Sequence, residues 1–248
     1  MSFDTKSVTL REVWTTVVPR PGDRHGPLAP LMLAMTVVTG LVDAYSYLVL
    51  GHVFVANMTG NVVFSGFALA GAGDYSLVAS FATLLAFAAG AFLGGRIAHC
   101  SRAHRGQALH RALIVQTLLV SAAYAVAVSA GAAHPASRYA LIALLGAAMG
   151  HQNATARALA VPDLTTTVLT LTIAGMASDS KVAGGAGGRS GRRLLSTAAI
   201  FAGGLIGAIA VLHGATTLPL LLAALVLAAV TLVCFPLTRS EATWTAPL

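Results

Sequence analysis

Six stretches of this chain are each long and apolar enough to cross a bilayer as a helix: Leu28–Leu50, Leu77–Ile97, Ala112–Gly131, Arg138–Ala160, Leu194–His213 and Leu218–Phe235. A hydrocarbon core about 30 Å thick requires about 20 helical residues at about 1.5 Å each. Nothing else in the sequence restricts the fold so strongly, because hydrocarbon offers peptide groups no hydrogen bonds and only helices or closed barrels satisfy the backbone there. Pro30, Pro219 and Pro236 fall at the ends of these runs, where a missing N–H does least harm. Composition agrees: 56% of the 248 residues are hydrophobic and 9% are charged, too few for the polar surface of a water-soluble domain.

Two further apolar runs, Phe54–Ala72 and Leu164–Ala177, are shorter and carry polar, turn-forming residues near their starts. These are Asn57-Met58-Thr59-Gly60-Asn61 in the first and Pro162-Asp163-Leu164-Thr165-Thr166-Thr167 in the second. The basic residues indicate how the two runs travel. With the N-terminus inside, a full crossing by Phe54–Ala72 places Arg96, Arg102, Arg105 and Arg111 outside, against the positive-inside rule. If both runs dip in and return on the side they entered, 14 of the 15 Lys and Arg lie inside and only Arg138 outside. The expected fold is therefore all-α. It is a polytopic membrane helix bundle of about six spanning helices plus two re-entrant or broken half-helices, one entering from outside and one from the cytoplasm. Non-helical backbone at that depth must be sheltered by protein or line a wet cavity.

An internal repeat fits the same arrangement. Gly40-Leu41-Val42-Asp43-Ala44 parallels Gly150-His151-Gln152-Asn153-Ala154, and Val55-Ala56-Asn57-Met58-Thr59 parallels Val161-Pro162-Asp163-Leu164-Thr165. Phe87-Ala88-Ala89-Gly90 parallels Phe201-Ala202-Gly203-Gly204 once the Gly-rich loop Gly184–Gly191 is treated as an insertion. Three spans per half is odd, so the halves should enter the membrane upside down relative to one another, the inverted-topology repeat common in secondary transporters. The expected organisation is a cytoplasmic N-terminal tail (1–27), a membrane domain (28–237, with repeats at about 28–131 and 138–237) and a cytoplasmic C-terminal tail (238–248). The small-xxx-small pairs Gly90 with Gly94, Gly146 with Gly150, and Gly203 with Gly207 predict close helix packing.

The candidate site residues lie where helices are expected to break. Asp43 is the only acidic residue inside a full-length apolar run, about 6 Å outward of its midpoint. A carboxylate there costs about 2.5–3.5 kcal/mol on insertion scales, so it should face the interior. It serves either as a proton or cation site or as a structural acceptor for the open N–H groups of the broken segment. Its repeat partner Asn153 follows His151 and Gln152, three hydrogen-bonding side chains in succession. Asn57, Thr59 and Asn61, and in the second run Asp163, Thr165, Thr166 and Thr167, lie where a half-helix should start. They either cap free N–H groups or mark a binding site at the positive helix end. Arg157 is placed to snorkel to the cytoplasmic surface.

Other functions find no support. A net charge of +7 suggests nucleic acid in a soluble protein, but these basic residues flank apolar runs and suit anionic lipid head groups. Cys100 and Cys234 form no CxxC, and His99, Cys100, His104 and His110 match no standard metal spacing. No short apolar core with a small-residue cleavage site precedes Leu28, and the loop Gly184–Arg193 reads as flexible and basic rather than as a phosphate cradle. No nucleophile motif or paired carboxylates appear, so neither enzymatic activity nor a cofactor is expected.

Residues Thr39-Gly40 through Asp43-Ala44, Phe54 through Asn57-Met58-Thr59-Gly60-Asn61, and Gly150 through Gln152-Asn153-Ala154 with Arg157 and Thr165-Thr166 resemble the YoaK-like family of small bacterial membrane proteins, a domain-of-unknown-function family. The resemblance runs from about Leu31 to Phe235 and implies a bacterial inner-membrane protein of about six helices, without an established activity. The chain departs from the family pattern at Thr170-Leu171, where Thr-Gly is expected. The function expected from the residues is a small-solute transporter or channel, with Asp43, Asn57, Thr59, Asn61, Gln152, Asn153, Asp163, Thr165 and Thr166 along the path. The alternative is a non-transporting scaffold or sensor. The expected partners are the lipid bilayer, its anionic head groups on the cytoplasmic face, and a small solute or ion.

Overall fold

The computed structural model of the protein describes residues 11–20, 22–101, 103–164, 166–167, 169–179, 183–184 and 190–246. Thr165, Arg102 and most of the Gly-rich loop therefore lie outside the described residues. Among the described residues there is no strand. After a short helical segment at 11–17, eight longer helices follow. They are α1 (Leu28–Val49), α2 (Met58–Leu69), α3 (Leu77–Cys100), α4 (Arg105–Ala130), α5 (Pro135–Leu159), α6 (Thr170–Ser178), α7 (Ser190–Leu212) and α8 (Leu218–Cys234).

Six of these correspond to the six long apolar runs, and five combine the length and hydropathy of a membrane span. The sixth, α5, has 25 residues but is less apolar, because it carries Arg138, His151, Gln152, Asn153 and Arg157. Its central polar side chains are buried or half-buried, while Arg157 near its end is exposed. His151 and Gln152 are fully enclosed, as are Thr36 on α1 and Thr83 on α3, while Phe81, Leu85, Phe92, Leu118, Phe201 and Leu232 are exposed. Polar groups inside and large apolar groups outside is the pattern that hydrocarbon selects. The protein is an all-α, polytopic membrane helix bundle.

The helix ends sort onto two faces. At the face that holds Leu28, Arg105 gathers carbonyl oxygens from three segments: Nη2 donates to Leu159 O at 2.5 Å, and Nη1 to Arg24 O and Trp244 O at 3.3 Å. There Trp244 is buried against Gly26 and Gly106. By their positions at helix ends, Arg24, Arg96, Arg105, Arg111, Arg157, Arg192, Arg193 and Arg239 belong to this face, and Arg138 to the opposite one. The two short helices do not cross. The 12 residues of α2 and the 9 of α6 rise about 18 and about 14 Å, well short of the hydrocarbon thickness.

The most extensive helix pairs are α3 on α5 and α1 on α7, each parallel and each built on glycine. A Cβ on Gly90 would overlap the backbone of Ala147, and one on Gly150 the backbone of Phe87. In the other pair, a Cβ on Gly203 would overlap Val37, and one on Gly40 would overlap Ile200. Small residues let these backbones touch, and dispersion along the seam holds the pairs together where lipid gives no hydrophobic drive. The contacts align Gly90 with Gly203 and Gly94 with Gly207. The alignment expected from the sequence set Phe87 against Phe201 and Gly90 against Gly204. Among closely spaced Ala and Gly the sequence holds no side chain distinctive enough to fix the register, whereas backbone contact does.

Candidate functional site

Between α1 and α2 the chain runs without helix through residues 50–57, and two side chains supply the hydrogen bonds that a helix would have provided. Asp43, on α1, accepts from Val55 N–H at 3.1 Å and Ala56 N–H at 2.9 Å through Oδ1. Asn61, fully buried in α2, accepts from Phe54 N–H at 2.9 Å through Oδ1 and donates from Nδ2 to Phe54 O at 2.5 Å. An amide has one donor end and one acceptor end, so it can close a ring with one residue's backbone as another strand would. Asn61 and Ser65 are the buried residues of α2, while Val62, Val63, Phe67 and Leu69 face outward. The short helix therefore turns its polar side to the protein.

The second break is built differently. Residues 160–169 precede α6, and three of them, Ala160, Asp163 and Thr166, have positive φ of 46°, 63° and 62°. For a β-branched residue such as Thr166 that conformation is strained. Its Oγ1 is buried and has no hydrogen-bond partner among the described residues. The helix begins at Thr170, six residues beyond the position expected from aligning Leu164 with Met58. Pro162 lacks an N–H and the following threonines are poor helix formers, so the motif extends a loop here rather than starting a helix. Asp163 does not cap a half-helix. It pairs with Arg193 Nε at 2.8 Å, and Arg193 Nη1 also meets Asp179 at 2.6 Å. Arg193 was expected in a flexible loop, but α7 starts at Ser190 and places it in the first turn.

The two breaks open on one cavity of about 930 Å³. Asp43, Asn57 and Thr59 reach it from one side, and Asn153, Thr167 and Thr170 from the other. Asn57 stands at the N-cap of α2 but makes no side-chain cap bond, the first of its two expected roles, and both it and Thr59 are exposed to the cavity space. Asn153 donates from Nδ2 to Thr167 Oγ1 at 2.6 Å, which ties α5 to the second break. Asn153 also borders a second cavity of about 610 Å³, together with Arg157, Asp163, Leu164, Thr172 and Arg193. Asn153 thus borders both chambers.

Three expected residues lie elsewhere. Gln152 lines neither cavity: it donates from Nε2 to Thr39 Oγ1 at 2.8 Å and Met35 O at 3.4 Å, and accepts from Gln116 Nε2, which joins α5 to α1 and α4. Asn61 serves the backbone of the first break, and Thr166 is buried in the second. His151 likewise points into packing, with Nε2 3.0 Å from Ala112 O. The sequence reading also missed the aromatic side chains of the larger cavity, Tyr47, Phe54, Phe64 and Phe87. A signal was present in Tyr47, which follows Asp43 by four residues and so shares its helix face.

Among the described residues no group of three or more His, Cys, Asp or Glu is arranged to hold a metal ion. The cavity lining carries neutral polar groups, aromatic rings and the one carboxylate of Asp43. Such a lining can bind and orient a solute.

Comparison with known proteins agrees with this architecture. The UPF0700 transmembrane protein YoaK of Bacillus subtilis (strain 168) is 30% identical over 150 residues, which is 60% of this chain and 65% of that protein. No solved structure matches the chain. Residues 31–233, which include both breaks and nearly all of the six long helices, match the family model described as Protein of unknown function (DUF1275), and the chain belongs to that family of multi-pass membrane proteins.

Proposed function

We propose that the protein conducts or transports a small solute across the bacterial inner membrane, along a path through the cavity where its two broken segments meet. The observation that carries this reading is the shared lining: Asp43, Asn57 and Thr59 from one half and Asn153, Thr167 and Thr170 from the other border the same space. Broken helices that converge on a cavity from opposite faces are the architecture of secondary transporters. The paired glycine contacts support an inverted-topology repeat, since each half places its first span against the second span of the other. The protein acts as a membrane conduit and not as an enzyme.

The face with Leu28 is cytoplasmic in this reading, by the positive-inside rule, and its arginines meet anionic head groups. The two cysteines test the orientation without mutation. Cys100 is exposed at the Leu28 face and Cys234 is buried. A membrane-impermeant maleimide should label Cys100 in inverted vesicles and leave it unlabelled in intact cells. Labelling in intact cells would reverse the orientation.

A non-transporting scaffold or sensor is favoured by one set of facts: Asp43 Oδ1 and the whole amide of Asn61 are engaged in holding the first break. Flux separates the two readings. Protein reconstituted in liposomes is to be assayed by stopped-flow light scattering with a panel of salts and small neutral or charged solutes. Asp43→Asn and Asn57→Ala are compared with wild type at equal folded yield. Transport predicts flux in the wild type that falls about tenfold or more in Asp43→Asn, the change that removes a full charge at low dielectric. No flux for any solute tested decides for the scaffold.

A further inference from the structure

The larger cavity combines one carboxylate with a wall of aromatic rings, and we infer that it binds an organic monocation, a protonated or quaternary amine with apolar substituents. This rests on the transport reading only for the location of the site; the inference itself concerns binding. Tyr47 and Phe54 stack with centroids 4.8 Å apart, Phe54 and Phe64 are 6.0 Å apart, and Tyr47 and Phe64 are 6.2 Å apart. All three rings line the cavity together with Asp43 and Met58. Ring faces carry negative electrostatic potential and attract cations, most strongly those that shed little hydration, such as quaternary ammonium groups.

The charge distribution points the same way. Among the described residues, Asp43 is the only side chain in the lining that can carry a full charge as a carboxylate or an ammonium-type group, and no Lys, Arg or His lines the cavity. Oδ1 accepts two backbone N–H bonds, while Oδ2 makes no hydrogen bond among the described residues and remains available to a ligand. The N-termini of α2 and α6 also border the space, and they favour the opposite sign. A helix end acts as about half an elementary charge, and its effect fades within a turn and in water. The carboxylate borders the cavity directly, where a bound cation would favour its charged form, whereas the helix ends act only within a turn.

The size and lining of the cavity suit an organic cation better than a bare metal ion. A dehydrated sodium or potassium ion needs a close shell of oxygens, whereas about 930 Å³ of mostly apolar lining suits a molecule of the size that ordinary ligand pockets hold. The apolar part of the ligand would lie against Tyr47, Phe54, Phe64 and Phe87, with its charged end at Asp43.

The test is equilibrium binding to the purified full-length protein in detergent, by isothermal titration calorimetry. The probes are benzyltrimethylammonium, its neutral carbon isostere neopentylbenzene, and phenylacetate. The expected result is saturable binding of benzyltrimethylammonium at one site, at least about tenfold tighter than either other probe, since only it offers a cation to the carboxylate and rings. Asp43→Asn should weaken it by about tenfold or more, while its amide oxygen still accepts from Val55 and Ala56. Tyr47→Leu should weaken it by about 3- to 10-fold, which does not depend on the folding of the Asp43 variant. Equal binding of the cation and its isostere, preference for phenylacetate, or unchanged affinity in both variants would overturn the inference. Cation binding without flux retains this site and removes transport; flux of some solute without cation binding does the reverse.

Discussion

Gly90→Leu is expected to keep the bundle from assembling, whereas Gly95→Leu, five residues along the same helix, should be tolerated. A Cβ at Gly90 would come closer than 3.0 Å to the backbone of Ala147, and backbone cannot swing aside as a flexible side chain does. The helices must part along their whole seam. Overpacking in a well-filled core costs about 1–3 kcal/mol, and a forced separation adds the lost dispersion of the neighbouring contacts, so about 3 kcal/mol or more is expected here. At Gly95 nothing lies within 4 Å of the added carbon. Monodispersity in detergent and the midpoint of unfolding in dodecyl sulfate measure both effects. Gly150→Leu, Gly40→Leu and Gly203→Leu should resemble Gly90→Leu, because each meets backbone in the same way. Wild-type stability in Gly90→Leu would mean that α3 and α5 are not in contact at this residue.

Asp43→Ala should destabilise the protein far more than Asp43→Asn. Alanine leaves the N–H groups of Val55 and Ala56 without their acceptor, and a buried unsatisfied donor costs about 1–3 kcal/mol. Asparagine keeps an acceptor oxygen in place, with an expected change of about 1 kcal/mol or less. The double variant Asp43→Ala, Asn61→Ala strips the first break of both its supports, because Phe54 then loses its side-chain partner as well. It should be less stable than either single variant at position 43 in the same unfolding assay. Equal stability of the Ala and Asn variants at position 43 would show that these bonds do not hold the segment. The contrast matters for function, since it separates the charge of Asp43 from its structural use.

The large elements were legible in the sequence because length and apolarity report directly on the bilayer. The boundaries of α1 and α3 began at the expected residues, Leu28 and Leu77. The start of α4 did not. It begins at Arg105, seven residues before Ala112, because a polar helical turn outside the hydrocarbon carries no apolar signal. The first break was readable from Asn57 to Asn61, although the side chain that serves the backbone is Asn61 and not Asn57. The second was misplaced because Asp163 and the threonines resemble a cap in composition, while Asp163 and Thr166 adopt left-handed backbone and Asp163 pairs with Arg193 of α7, some 30 residues later. The aromatic wall escaped notice for a related reason. Tyr47, Phe54 and Phe64 come from a helix, a loop and another helix, and no periodicity relates them.

The seam between α1 and α7 also bears on how the chain is made. Gly40 and Gly203 meet across 163 residues of sequence, 203 minus 40. A ribosome adding about 5–20 residues per second takes roughly 10–30 s to cover that distance. Throughout that interval α1 is inserted with its small, notched surface facing lipid or a chaperone, and Asp43 has only the first break as company. Newly made protein is therefore most vulnerable to membrane quality-control proteases before α7 emerges, and truncation ahead of Ser190 should yield rapidly degraded fragments rather than a stable half.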